Sequence, residues 1–235
     1  MVLWNYIGML LVVLGFCAIV LYFIGSAVIK YLRKRQTERC FEETINSKLE
    51  YVDLGLPSGL LWATCNVGAT SPEQAGLYFA WGETKGYTAE QIGALERSFY
   101  ESSYNAGKTA SISADLTLEQ DAAHVCMGGD WRMPTKKEWD ELIDNVRTEF
   151  ISIGNIKGML LISDINGNGL FIPASGVCVN STVDFTGIIG WCWSSNIYSE
   201  KYAYDVIIRN GGEEFAVEHN YRYCGFPVRG VRKIM

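Results

Sequence analysis

Histidine is nearly missing from this 235-residue chain, with His124 and His219 the only two, and proline occurs five times. With so few imidazoles, His-based metal sites and His-centred catalytic triads have little to build on. The seven cysteines include no Cys-x-x-Cys pair and no Cys/His cluster at zinc spacing. G-x-S-x-G, Walker, G-x-G-x-x-G and H-E-x-x-H strings are all absent. An excess of positive charge is absent too. The net charge is −6, which gives nucleic-acid binding no electrostatic support. Repeats and low-complexity segments are also lacking.

What is present is a globular composition, 49% hydrophobic and 20% charged, with 13% aromatic residues. Residues 1–29 carry no charged side chain. As a helix, the run Leu3–Ile29 would span about 40 Å against a hydrocarbon core of about 30 Å. A cleaved signal peptide would want a basic start and a shorter apolar stretch. The expectation is therefore one retained transmembrane helix over residues 1–29 and single-pass residence in the cell membrane. Residues 30–50 form a charged juxtamembrane linker, and 51–235 the folded domain. The basic cluster Lys30-Tyr-Leu-Arg-Lys-Arg35 follows the apolar run and favours a cytoplasmic domain, whereas a recognition role favours the cell surface.

Four segments carry helix-start chemistry: Ser71-Pro-Glu-Gln74, Thr88-Ala-Glu-Gln91, Thr117-Leu-Glu-Gln120 and Thr135-Lys-Lys-Glu138. After the last, Trp139, Leu142, Ile143 and Val146 recur at helical spacing and predict a helix over Lys136–Arg147 with that stripe buried. Beyond residue 155 the pattern is β: Gly158–Ile162, Leu170–Pro173, Gly190–Ser194, Tyr202–Ile208 and Glu213–Glu218. Asn210-Gly-Gly212 marks a hairpin turn between the last two, and Gly225–Arg232 reads as a closing strand. The class is α+β, with a mostly antiparallel sheet and a few helices.

Single features weigh as follows. Asp164-Ile-Asn-Gly-Asn-Gly169 opens like a calcium loop, but position 12 is Ser175 and a strand follows, so a turn is expected and no metal. His124 reads as structural and His219 as exposed. The domain cysteines read either as buried free thiols or as including one disulfide, Cys178 with Cys192. No carboxylate pair stands out for glycosidase chemistry, and no cofactor is implied.

Several strings are highly specific together: Tyr51-Val-Asp-Leu-Gly-Leu-Pro-Ser-Gly-Leu-Leu-Trp-Ala-Thr-Cys-Asn-Val-Gly-Ala69, Tyr78-Phe-Ala-Trp-Gly-Glu-Thr84, Gly128-Gly-Asp-Trp-Arg-Met-Pro-Thr135, Trp193-Ser-Ser195 and Gly225-Phe-Pro-Val-Arg-Gly-Val231. In this order they resemble the "major paralogous domain" proteins of gut Bacteroidetes and their phages. That family is similar to the C-type-lectin fold, shared with formylglycine-generating enzymes and with the variable proteins of diversity-generating retroelements. The resemblance covers about residues 51–232. It implies a C-type-lectin-like domain with Trp131, Arg132, Pro134 and Trp139 as scaffold. Trp193, Ser194 and Ser195 would open the binding face, and Gly225, Phe226, Val228 and Arg229 would end the core sheet.

Between these ends lie Asn196–Asp205 and Glu218–Cys224, rich in Tyr, Asn and charge, the composition of an adaptable recognition face. Ligand contact is expected through Asn196, Tyr198, Tyr202, Asp205, His219, Asn220, Tyr221 and Tyr223. The calcium triplets of sugar-binding lectins and the copper-binding cysteine pair of the enzymes have no counterpart. Cys192, between Trp191 and Trp193, should point away from both rings. A membrane-anchored binding module for a protein or glycan surface, possessing no catalytic activity, is the leading expectation. An enzyme of the formylglycine-generating branch and a structural membrane-assembly protein are the rivals.

Overall fold

A computed structural model describes residues 2–45, 50–95, 113–210 and 214–233; side chains of 2–15, 17, 18, 45 and 153 lie outside the described set. The chain divides into two compact units, Met1–Cys40 and Phe41–Met235.

Helix α1, Val2–Ile45, is continuous for 44 residues. It runs through the expected linker and carries an exposed Lys34–Glu38 pair at 3.8 Å. Among the described residues no helix is long and apolar enough to cross a membrane. This does not favour the expected anchor over residues 1–29. The second unit opens earlier than Tyr51: Phe41, in the last turns of α1, is buried with its ring 5.6 Å from that of Phe171.

The second unit is α+β and antiparallel. One sheet has the order β1 (Tyr51–Asp53), β2 (Leu60–Asn66), β11 (Arg229–Lys233). The chain's last strand thus lies beside one of its first. The pairing shifts register between Arg229 and Val231. Gly230 sits at that shift because a Cβ there would meet Met127 Sδ at 2.8 Å and the Trp131 ring at 3.1 Å. A second sheet orders β3 (Val146–Ile153), β4 (Ile156–Ser163) and β5 (Gly169–Pro173). A third orders β10 (Glu214–Tyr221), β9 (Tyr202–Arg209) and β8 (Ile189–Ile197). A short ribbon joins β6 (Val177–Cys178) to β7 (Val183–Asp184).

Three of the four expected capping boxes form. Thr88 opens α2 (Ala89–Gly93), Thr117 opens a 3-10 turn over Leu118–Gln120, and Thr135 opens α4 (Lys136–Asp144). Helix α3 (Ala122–Met127) starts at Asp121, whose carboxylate accepts from His124 N at 2.9 Å and Met133 N at 2.8 Å. His124 is structural, its Nδ1 3.1 Å from Trp131 O. Ser71-Pro-Glu-Gln74 gives only a turn, a correction to the expected helix. Gly76 follows at φ +74, and Leu77 N donates back to Val67 O at 2.9 Å. The chain leaves before a second helical turn can offset nucleation.

Helix α4 also stops short of Arg147. Asn145 Nδ2 donates to Glu141 O at 2.8 Å. Val146 begins β3 opposite Ser163 and is only half-buried, since the β-branched run Val146–Ile153 favours a strand. Asp164–Asn168 is the β4–β5 turn, and both Asn166 and Asn168 amides donate to Asp53 O, at 3.0 and 2.8 Å. Residues 211–213 of the Asn-Gly-Gly turn lie outside the described set, but the β9–β10 hairpin they join is in full register from Arg209↔Glu214 to Tyr202↔Tyr221.

Two apolar clusters form the core. One gathers Trp62, Trp139, Leu142, Met159, Ile172, Cys192, Val206, Ile208 and Val231, with Trp62 and Trp139 rings 4.7 Å apart. The other gathers Phe79, Trp81, Met133, Trp193, Phe226 and Val228. Cys192 falls in the first, and Trp191 and Trp193 pack in the second, as strand alternation requires. Cys178 lies with Tyr78, Ala80 and Ile92, away from Cys192. Of the two readings of the domain cysteines, the free thiols hold and the alternative Cys178–Cys192 disulfide does not: all six described cysteines are free.

Candidate functional site

The β8-β9-β10 sheet positions the candidate face. Along β9, residues 202, 204, 206 and 208 share one side, and register puts Tyr221, His219, Val217 and Phe215 opposite them. The inner half of this stripe, Val206, Ile208, Phe215 and Val217, packs on the first cluster around Trp139. The outer half is aromatic. There the register pairs Tyr204 with His219 and Tyr202 with Tyr221, and the β8–β9 turn adds Tyr198.

The rings form a continuous array. Tyr198 stacks on His219 at 3.9 Å and 15°, and meets Tyr204 edge-on at 5.2 Å. Tyr202 lies 4.4 Å from Tyr221, which stacks on Tyr223 at 5.0 Å and 20°. Tyr198 is 49% exposed and Tyr221 41%, His219 is exposed, and Tyr202, Tyr204 and Tyr223 are half-buried. A hydrogen bond with Tyr221, then burial, pushes the Tyr202 phenol up.

Five of the eight expected contact residues, Tyr198, Tyr202, His219, Tyr221 and Tyr223, are thereby brought together. The other three are engaged by hydrogen bonds within the fold. Asn196 accepts from Lys136 N at 2.6 Å at the start of α4 and donates to Asp115 Oδ2 at 2.7 Å. Asp205 is fully buried, and its Oδ2 accepts from Asn220 Nδ2 at 2.7 Å while Oδ1 has no partner. Burial pushes this carboxyl up to about 7, against the Asn220 bond and aided by Glu218. Asp205 and Asn220 lie on the opposite side of the sheet from the rings.

Two participants were not singled out from the sequence. Tyr204 continues the period-two stripe 202-204-206-208, a pattern that was there to be used. Arg222 is fully buried, lies 4.9 Å over the Trp81 ring and donates to Ser199 O at 2.7 Å. It pins the β8–β9 turn that carries Tyr198. Trp81 Nε1 donates to Ser194 O and Trp193 Nε1 to Phe79 O, each at 2.8 Å, which locks β8 to the Tyr78–Trp81 segment. The array therefore stands on a rigid base.

Burial pushes the thiols of Cys178, Cys192 and Cys224 each up to about 12, far from the thiolate that attack or metal ligation needs. Among the described residues no three His, Cys, Asp or Glu side chains group to hold a metal ion. A separate concavity of about 380 Å³ is lined by Cys65, Asn66, Met127 and Trp131, among others. Glu50 also lines it. No family model, no curated protein and no solved structure matches this chain.

Proposed function

We propose that this chain is a recognition protein: a C-type-lectin-like domain that holds a protein or glycan surface against its ring face, without catalysis, cofactor or nucleic acid. The observation that carries this reading is the exposed array Tyr198–His219 and Tyr202–Tyr221–Tyr223 on a buried, hydrogen-bonded base. Rigid rings with polar tips give contact area at low entropic cost. The antiparallel α+β architecture, closed by the last strand beside an early one, is compatible with the lectin-like expectation.

The test compares the full chain with Tyr198→Ala and Tyr221→Ala on arrays of glycans and immobilised proteins, alongside thermal melts. Loss of a bound ligand at unchanged melting temperature supports the reading. Loss of stability with affinity kept would make the rings core and sink it.

The membrane anchor through residues 3–29 belongs to the same proposal and rests on the uncharged run of residues 1–29. Protease accessibility of the domain in intact cells decides its side. Membership among diversified variable proteins is tested by sequencing the neighbourhood of the coding region. A reverse transcriptase beside a near-copy of the 3′ end is the expected finding.

A further inference from the structure

We infer that the occupant of the ring face is a protein segment presenting arginine or lysine side chains, not a sugar. This rests on the recognition reading and narrows its ligand class. Sugars stack on broad open ring faces, and here the rings close one another off. Tyr198 lies on His219 at 3.9 Å, and Tyr221 has the Tyr202 ring tilted against it at 4.4 Å and the Tyr223 ring stacked at 5.0 Å. What remains open is ring edges, hydroxyl oxygens and the outermost faces.

Carboxylates border that surface. Asp115 is exposed and held by Asn196 Nδ2 at 2.7 Å and Ile197 N at 2.9 Å. Glu200 is exposed in the turn between Tyr198 and Tyr202. From Asn196 to Tyr204 the one base is Lys201, and nearby Lys136 is engaged by Asp140 at 2.6 Å. Acceptor oxygens and carboxylates around ring π-systems attract guanidinium and ammonium groups.

The described residues already contain that geometry six times, two of them at or beneath this face. Lys136 Nζ stands 5.7 Å from the Tyr204 ring centre, and Arg222 Cζ 4.9 Å from that of Trp81. Over longer range the chain past residue 50 carries 22 acidic against 14 basic side chains, a field that draws a basic partner in.

The experiment measures fluorescence anisotropy of labelled hexa-arginine, hexa-lysine and hexa-glutamate peptides, plus labelled chitohexaose and maltohexaose. The receptor is the full chain in a non-ionic detergent. The arginine peptide is expected to bind most tightly, and Tyr198→Ala and Tyr221→Ala each to weaken it about fivefold or more. Glu200→Gln should weaken it less, without touching the rings, and Asp164→Asn on the β4–β5 turn should leave it unchanged. Equal weakening by Asp164→Asn and the tyrosine variants would reduce the effect to bulk charge and overturn the inference. Failure of both cationic peptides to bind overturns it as well. If a sugar then binds and the tyrosine variants lose it, the recognition reading survives with another ligand. If no ligand responds to those variants, the recognition reading falls with it.

Discussion

Asp205 illustrates how one buried atom links packing to pH. Its carboxyl is enclosed beneath the β9–β10 hairpin with a single hydrogen bond from Asn220 at 2.7 Å, so the charged form is penalised and the folded-state value rises to about 7. A raised folded value means the fold favours the protonated acid. Its contribution is fully present below the unfolded value, near 4, and is lost as pH climbs to about 7. Stability should therefore fall over that window and level off above it. A rise from the ordinary carboxylate value to about 7 corresponds to at most about 4 kcal/mol. Asp205→Asn should remove most of this slope, which denaturant melts at several pH values between 4.5 and 8 would read; an unchanged slope would mean another group titrates. At the same scale, Tyr198 and Tyr221 should tolerate alanine with little loss of stability, because they stand 49% and 41% exposed, while ligand affinity falls by about 1–2 kcal/mol or more.

At the scale of elements, α4 is the piece best specified by its own residues. Thr135 and Glu138 close a reciprocal cap, and Glu138 accepts both Arg132 nitrogens at 2.6 and 2.8 Å. Burial opposes ionisation of Glu138, yet these bonds hold its carboxyl below the usual range. Thr135→Ala should cost about 1 kcal/mol, seen as a lower denaturation midpoint with unchanged slope. Trp139→Ala should cost about 3–5 kcal/mol, since the ring is fully buried against Trp62 and Phe215. A melting temperature equal to wild type would refute that placement. Local signals failed where a neighbour overruled them. Ser71-Pro72 carries good start chemistry, but Gly76 and the bond from Leu77 to Val67 turn the chain away. Val146 fits the helical stripe, yet pairing with Ser163 captures it for β3.

For the whole molecule, the second unit begins at Phe41, so deletion of residues 1–40 should leave a folded domain whose circular dichroism and melting match those of the full chain. The full chain should sediment with membranes after an alkaline wash if residues 3–29 anchor it, and release into the supernatant would end that proposal. The α+β class, the strands β4, β5, β8, β9, β10 and β11 but not the short β6 and β7, the capped helix at Thr135 and the tyrosine-rich ends of β9 and β10 were legible in the sequence. Each depends on spacing of two or 3.6 residues, or on a cap that acts within four. Which residues of the face point outward was not. Asn196, Asp205 and Asn220 have the polarity of contact residues, yet partners at Lys136 and Asp115, and between Asp205 and Asn220 themselves, occupy their polar atoms. Arg222 has the look of a surface cation, and Trp81, 141 residues earlier in the chain, supplies the ring that it covers. Such outcomes are decided by contacts between segments far apart in sequence, and only the assembled core brings those segments within hydrogen-bonding distance.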